Sequence, residues 1–185
     1  MINKMKNKFM SLLAISTILA LQSCGSDDDP VLESEQELIT SVSIVLTPNG
    51  GGDSPVLLFT DLDGEIGSLP PEVSGATLSK GATYTAEIVL LNTIESPVVD
   101  ITAEVKNEGD EHLFCYTPTG LDLDITITDN DVNALDLGIL TTWEVGAATG
   151  SGTVKVVLKH QPDVKDGTCV PGDTDIEIDF PVTIE

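Results

Sequence analysis

The segment GDEHLFCYTP, residues 109–118, places acidic residues, a histidine and a cysteine within one short stretch. The whole chain has only two histidines and three cysteines. Imidazole, thiolate and carboxylate groups are the ligands that zinc and other first-row divalent ions use in proteins. The segment therefore has two alternative interpretations: a metal site, or the end of a β-strand that carries a disulfide.

Both histidines are predicted to lie at strand ends, on the inward side of the protein. In a strand, His112 shares a face with Phe114, and His160 continues the apolar face of TVKVVLKH. If these ends meet, the imidazoles converge, and neighbouring carboxylates supply oxygen ligands: Glu108, Asp110, Glu111 and Asp163. The spacing matches no standard zinc motif. The alternative that each histidine bonds only a loop carbonyl therefore stays open.

The loop TDNDVNALD, residues 128–136, offers oxygen ligands for another kind of ion. Asp129, Asp131 and Asn133 match the first three ligand positions of a calcium-binding loop. Ala134 stands where that loop needs glycine, and Leu140 stands where it needs a bidentate glutamate, so an EF-hand is excluded. A looser calcium site and an ordinary Asp/Asn-rich turn are the two alternatives.

Residue patterns typical of catalysis are missing from the sequence. Neither histidine stands beside a serine in a pattern typical of a nucleophile and its base. No glycine-rich loop opens a helix, as phosphate binding would require. The sequence therefore predicts a binding protein rather than an enzyme.

The first 23 residues have the three parts of a secretory signal peptide. Lys4, Lys6 and Lys8 form a basic head, an apolar run follows from Phe9 to Leu21, and the small residue Ser23 precedes the break. As a helix this run would extend about 20 Å, which is too short for a bilayer core of about 30 Å. We therefore expect export and removal of residues 1–23.

The sequence LQSC, residues 21–24, resembles the lipobox of bacterial lipoproteins, whose cysteine carries lipid and becomes the first mature residue. Gln22 and the acidic run at residues 26–29 resemble the lipoproteins of Bacteroidota, in which such a run looks like a signal for the outer face of the outer membrane. The resemblance implies a lipid, such as palmitate, on Cys24 and anchoring in the outer membrane, exposed at the cell surface. Residues 24–37 are then an acidic tether, and residues 38–185 form a single domain.

Two cysteines remain once Cys24 carries lipid. The exported compartment is oxidising, so Cys115 and Cys169 are expected to form a disulfide. The alternatives are two free, buried thiols, or a Cys/His zinc site whose cysteines escape oxidation.

The mature chain is strongly acidic. Removal of residues 1–23 leaves five lysines and no arginine against 31 acidic residues, a formal charge of −26. Nucleic acids and anionic headgroups are bound by clusters of Lys and Arg, so both are excluded as partners. The negative field favours cations, although adaptation to salty surroundings also explains a surface of this kind.

Alternation of apolar and polar residues with a period of two dominates the mature chain. It predicts about nine strands: ITSVSIVLTP, PVLLFTDL, ATYTAEIVLL, VVDITAEV, HLFCYTP, DLDITITD, GILTTWEV, TVKVVLKH and DIEIDFPVTI. Turn signals separate them, and no apolar stripe at helical spacing is visible. The pattern predicts an all-β fold, an antiparallel immunoglobulin-like β-sandwich of about 7–9 strands with Trp143 in its core. A barrel is the alternative.

The order of ELITSVSIVLTP, TYTAEIVLLN, EHLFCY and DTDIEIDFPVTI resembles a family of small Bacteroidota outer-membrane lipoproteins. Some members carry the label of a type 1 periplasmic binding fold. That fold alternates strands with helices of ten or more residues, a pattern that this sequence does not have. The resemblance implies a lipoprotein but no established activity.

Together these patterns predict a lipid-anchored β-sandwich that acts as a non-enzymatic binding module. Its predicted ligand is a divalent ion, zinc before calcium, near His112 and His160, and its predicted partner is an outer-membrane transporter. A structural or adhesive surface module without a metal site is the alternative. Whether the two histidines approach each other discriminates between these hypotheses.

Overall fold

The computed structural model describes residues 37–64 and 68–185. The predicted signal peptide, Cys24 and nearly all of the predicted tether lie outside the described residues. Within the described part of the chain, no helix has the length and apolar character needed to cross a membrane. The described residues belong to one compact unit that contains the whole core. A fragment of residues 25–185 therefore includes the whole of this compact unit.

Eleven strands and one helix form the described part of the chain. In chain order they are β1 (Ser41–Pro48), β2 (Val56–Thr60), β3 (Glu72–Ser74), β4 (Ala76–Leu78), β5 (Thr83–Asn92), β6 (Val99–Asp100), α1 (Ile101–Asn107), β7 (His112–Thr119), β8 (Leu123–Ile127), β9 (Leu140–Val145), β10 (Gly150–His160) and β11 (Asp173–Ile184).

The strands form two sheets around one core. The larger sheet has the order β3-β2-β1-β5-β9-β8, with β6 also paired to β5, and the smaller sheet has the order β4-β11-β10-β7. Every described pair is antiparallel except β11 with β4. Inward side chains from both sheets, among them Trp143, Phe114 and Phe180, are fully buried. The predicted β-sandwich with Trp143 in its core is confirmed.

The prediction of a strand for VVDITAEV is wrong, because most of this segment is helix α1. The Asp100 carboxylate caps the helix by accepting a hydrogen bond from the Ala103 N–H group, at 3.3 Å. Ile101 and Val105 are buried. Residues four apart share one face of a helix, but they also share one face of a strand. The apolar pattern therefore fits both a helix and a strand, and the N-terminal cap at Asp100 is the feature that favours the helix.

The strand count exceeds the predicted seven to nine because three strands are very short. β3, β4 and β6 contain three, three and two residues. Alternation cannot be recognised over so few residues. Accordingly, β3 lies inside GSLPPEVSG, a segment that the sequence predicts to be a turn.

Candidate metal centre

The two histidines lie side by side on neighbouring strands. His112 begins β7, His160 ends β10, and the register of the two strands pairs them directly. Their ring centroids are 4.8 Å apart and their planes differ by 11°, so the imidazoles stack. His112 is 1% exposed and His160 is half-buried. The structure therefore brings the two histidines together, which the strand pattern leaves open, since it places each of them only at an inward-facing strand end.

A hydrogen bond of His112 determines which ring nitrogen can bind a cation. Nδ1 lies 3.1 Å from the backbone carbonyl oxygen of Glu108. A carbonyl oxygen only accepts, so in the neutral ring Nδ1 carries the proton and Nε2 carries the free lone pair. Burial lowers the pKa of His112, although this hydrogen bond and the Asp175 carboxylate oppose the shift. The predicted bond to a loop carbonyl is thus present, and it leaves Nε2 available as a ligand.

Nε2 of His112 faces a carboxylate that sequence reasoning missed. Asp175 Oδ2 lies 3.7 Å from Nε2, and the side chains of both residues are only 2% exposed. Neither oxygen of the Asp175 carboxylate has a hydrogen-bond partner among the described residues. Burial raises the pKa of Asp175, even though both histidines oppose that shift.

A β-bulge turns Asp175 toward the interior. The register between β10 and β11 shifts between Leu158 and Lys159, which leaves Asp175 as an extra residue without a partner on β10. Strict alternation in DIEIDFPVTI would instead place Asp175 on the outer face with Glu177. The sequence carries no signal for this bulge, so the pattern alone assigns Asp175 to the solvent.

Two more carboxylates complete the surroundings of His112. Glu37 precedes β1 and Glu108 caps the C-terminus of α1, and one ligand atom from each lies within 4.8 Å of the other and of a His112 ring nitrogen. Oε2 of Glu37 is buried and has no hydrogen-bond partner in the part of the chain that the structure describes. Burial, followed by the negative charges of Asp175, Glu104 and Glu108, raises the pKa of Glu37 to about 7. We call Glu37, Glu108, His112 and Asp175 the His112 cluster.

Sequence reasoning also missed Glu37, because it assigned this residue to the acidic tether. In GSDDDPVLESEQE, Glu37 is one acidic residue among many. The available signal was its position two residues before Ile39, which is buried in the core. Because Ile39 is anchored in the core, Glu37 must lie next to the folded domain and cannot extend away from it with the rest of the tether.

Of the other predicted ligands, Glu111 lies beside His160 rather than His112. Glu111 Oε2 is 3.7 Å from His160 Nε2, and these side chains are 42% and 14% exposed. Glu111 also lines a solvent-open cavity of about 260 Å³, together with Asp110, Asn133, Asp163 and Lys165. The structure therefore divides the predicted ligand set into an inner and an outer group.

Comparison with known proteins gives no assignment. The chain matches no family model, and no curated protein or solved structure is significantly similar to it. The chemistry of this site is therefore inferred from its own geometry.

The loop predicted to bind calcium contacts a lysine ammonium group. Lys165 Nζ lies 2.8 Å from Asp131 Oδ2 and 2.7 Å from the carbonyl oxygen of Gly109. The Lys165 and Asp131 side chains are 2% and 0% exposed. A positive charge from the chain itself thus neutralises the buried Asp131 carboxylate.

Backbone N–H groups satisfy the other carboxylate oxygens of this loop. Oδ1 of Asp131 accepts hydrogen bonds from Asn133 and Leu135. The two oxygens of Asp129 accept from Gly138 and Ile139. Asn133 itself is exposed. We call Asp129, Asp131 and Lys165 the Lys165 cluster. Its carboxylates have partners within the chain, so we do not extend the calcium prediction to a proposal.

The predicted disulfide between Cys115 and Cys169 is confirmed, with the two Cα atoms 6.2 Å apart. Cys115 is an odd number of residues from His112 along β7, so the two side chains point to opposite faces of the sheet. Leu113, on the same face as Cys115, is also buried but lies outside the main core. The cysteines are therefore bonded to each other, on the far side of the sheet from the imidazoles, and the alternative Cys/His zinc site does not form.

Proposed function

We propose that this protein is an exported, lipid-anchored β-sandwich module that binds a divalent metal ion of the zinc type at the His112 cluster. The ligands would be Nε2 of His112 and carboxylate oxygens of Asp175, Glu37 and Glu108. One imidazole nitrogen with carboxylate oxygens is a donor set that zinc and neighbouring first-row ions accept.

The observation that carries this proposal is the 3.7 Å separation between Nε2 of His112 and Oδ2 of Asp175. This distance is too long for a hydrogen bond, so a proton does not join the two atoms. Without a cation between them, a nitrogen lone pair faces a buried carboxylate, which is costly. If an ion were bonded to each atom at about 2.1 Å, the angle at the ion between the nitrogen and the oxygen would be roughly 125°, close to the tetrahedral range.

The carboxylates of Glu37 and Glu108 would have to move to join His112 Nε2 and Asp175 around one ion, because Asp175 lies outside the group of ligand atoms that are within 4.8 Å of one another. Ligand atoms around a tetrahedral zinc ion lie about 3.4 Å apart, whereas those of Glu37, Glu108 and His112 lie within 4.8 Å of one another. Glu108 is exposed, so its side chain can rotate inward without disturbing the core. The ion would also neutralise the charges that raise the pKa of Glu37.

A binding role is favoured over a catalytic one by the burial of the inner ligands. A catalytic zinc ion keeps one position open for water or substrate. The side chains of His112 and Asp175 are only 2% exposed, which suits a closed site. The strongly acidic mature chain would raise the local concentration of cations around such a site.

Export and anchoring remain part of the proposal on the grounds of the N-terminal sequence. The disulfide supports export, because such bonds persist in oxidising compartments. A Cys24→Ser variant should lose label from radioactive palmitate and move from the membrane fraction to the soluble fraction. Delivery of the ion to an outer-membrane transporter is the proposed use of the site.

Zinc titration by calorimetry on residues 25–185 tests the proposed function. We expect saturable one-site binding at neutral pH. His112→Asn keeps a donor for the Glu108 carbonyl but removes Nε2, so it should weaken binding by at least about 100-fold. Asp175→Asn should do the same, while Asp124→Asn, on the outer face of β8, should leave binding unchanged.

The opposite outcome is also clearly defined. Weak heats from many sites, equal in the wild type and in the His112 and Asp175 variants, would mean that ions merely condense on an acidic surface. The protein would then be a structural or adhesive module without a metal site.

A further inference from the structure

The outer pair of His160 and Glu111 repeats the geometry of the inner pair. In both pairs the distance from Nε2 to the carboxylate oxygen is 3.7 Å. The difference lies in exposure: the inner side chains are 2% exposed, whereas those of His160 and Glu111 are 14% and 42% exposed. The two imidazoles therefore present one buried and one accessible nitrogen–oxygen pair.

The stacked arrangement prevents both histidines from binding one ion. An imidazole lone pair lies in the plane of its ring, so a bound ion also lies in that plane. The planes of His112 and His160 differ by only 11°, and their centroids are 4.8 Å apart. An ion in the plane of one ring is thus displaced from the plane of the other, and the two rings define two separate positions.

A continuous series of contacts connects solvent to the buried position. The solvent-open cavity of about 260 Å³ is lined by Glu111 and by the exposed Asp110 and Asp163. Glu111 contacts His160, and His160 stacks on His112. The ammonium group of Lys165, which also lines the cavity, is bonded to Asp131 and to a backbone carbonyl.

We propose that His160 and Glu111 form an outer position for a divalent cation, through which the inner site of the His112 cluster is loaded and emptied. This proposal rests on the proposed function, because it presupposes an ion in the inner site. Glu108 is exposed, but the side chains of His112 and Asp175 are only 2% exposed, so an ion needs an entry path to reach them. The contacts from the cavity end on the imidazole that stacks against His112. His160 then affects the rate of exchange, whereas His112 and Asp175 affect the affinity.

Release and equilibrium measurements on the same variants separate these roles. Residues 25–185, loaded with one equivalent of zinc, are mixed with an excess of a chromogenic chelator, and the release rate is read where it no longer depends on chelator concentration. The dissociation constant comes from equilibrium competition with the same chelator. The variants are His160→Ala and Glu111→Gln, with Asp124→Asn as a control that removes one acidic charge from the other sheet.

We expect both outer variants to slow release by at least about fivefold while the dissociation constant changes by less than about threefold. Release at the wild-type rate in both variants would overturn the proposal, because the ion would then use another route. A dissociation constant weakened more than about tenfold by His160→Ala would also overturn it, since His160 would then contribute to the affinity of the inner site, as a ligand or as a support of His112, and not only to the rate of exchange. A wild-type protein that retains no zinc would instead refute the proposed function itself.

Discussion

The His112 cluster and the Lys165 cluster both bury carboxylates around the same turn, but they neutralise them differently. The carbonyl oxygen of Glu108 accepts from the His112 ring, and the next carbonyl, that of Gly109, accepts from the Lys165 ammonium group. In the Lys165 cluster the chain supplies its own cation and backbone donors. In the His112 cluster the chain supplies an imidazole whose pKa burial lowers, and the Asp175 oxygens have no hydrogen-bond partner within residues 37–64 and 68–185.

The difference appears in the pKa shifts of the two aspartates. Burial raises the pKa of Asp131, but the Lys165 ammonium and backbone N–H groups outweigh it, so the net shift is downward. Burial raises the pKa of Asp175, and the histidines do not outweigh it. Acidic residues are therefore common to both clusters, and only the unsatisfied cluster indicates a ligand.

The largest expected effect is the loss of the buried ion pair. Lys165→Met leaves the Asp131 carboxylate buried and unpaired, which should lower the free energy of unfolding by about 3–5 kcal/mol. Chemical denaturation measures this loss. Lys155→Met is the matched control: Lys155 pairs with Glu177 on the surface, where solvent screens the two charges, so its loss should lower the stability far less. Equal, small losses in both variants would mean that the Lys165 cluster is not self-neutralised as described.

Removal of the disulfide should affect stability but not zinc binding. The bond joins cysteines 54 residues apart, and the double variant Cys115→Ala, Cys169→Ala should lose about 4 kcal/mol of stability. Its zinc affinity should match that of the wild type, because the cysteines lie on the opposite face of β7 from His112. A large loss of zinc affinity in a variant that remains folded would show that the cysteines contribute to the metal site.

Removing a buried charge should stabilise the protein in the His112 cluster, whereas in the Lys165 cluster it should destabilise the protein. In metal-free protein, Asp175→Asn removes a buried carboxylate without a hydrogen bond, which should raise the free energy of unfolding by about 1–2 kcal/mol. Added zinc should stabilise the wild type and leave this variant unchanged, since binding to the native state alone stabilises a protein. A destabilised metal-free variant would indicate that Asp175 already has a partner.

The smallest expected effect is a pH dependence that Glu37 contributes. Its folded pKa of about 7 lies above its usual value of 4.5, so between these values the native state binds more protons than the unfolded state. Metal-free stability should therefore fall as pH rises from about 4.5 to 7. The lowered pKa of His112 acts in the opposite direction, so the wild type is compared with Glu37→Gln.

Subtracting the two stability curves isolates the contribution of Glu37. We expect a difference of about 1 kcal/mol between pH 5 and pH 7, after allowance for partial exposure. Parallel curves would show that Glu37 titrates as an ordinary surface residue and does not belong to the His112 cluster.

The sequence predicted the features that follow from regular alternation. The long strands, the core position of Trp143, and the inward orientation of His112 and His160 all follow from inward-facing residues on regular strands, whereas the meeting of the two histidines depends on which strands pair. The disulfide followed from the cysteine count and the expected compartment. These predictions hold because a strand fixes the direction of each side chain once one face is known to be buried.

The missed features all depend on local departures from regularity. The bulge at Asp175 reverses the direction that alternation assigns to it. Helix α1 depends on the Asp100 cap, since the spacing of its apolar residues also fits a strand. Lys165 satisfies Asp131 only because distant loops pack together, and no local pattern records that contact. The sequence therefore placed the histidines correctly but assigned them to one shared site and omitted their main carboxylate partner.

X-ray absorption at the zinc edge, on residues 25–185 carrying one equivalent of zinc, tests the central claim most directly. The claim is that one ion binds to one imidazole and to carboxylate oxygens in the His112 cluster. We expect a first shell of one nitrogen from a single histidine with oxygen ligands and no sulfur, and the imidazole signal should disappear in His112→Asn. Two imidazoles in the shell, or a shell of oxygens alone that His112→Asn does not change, would contradict the claim.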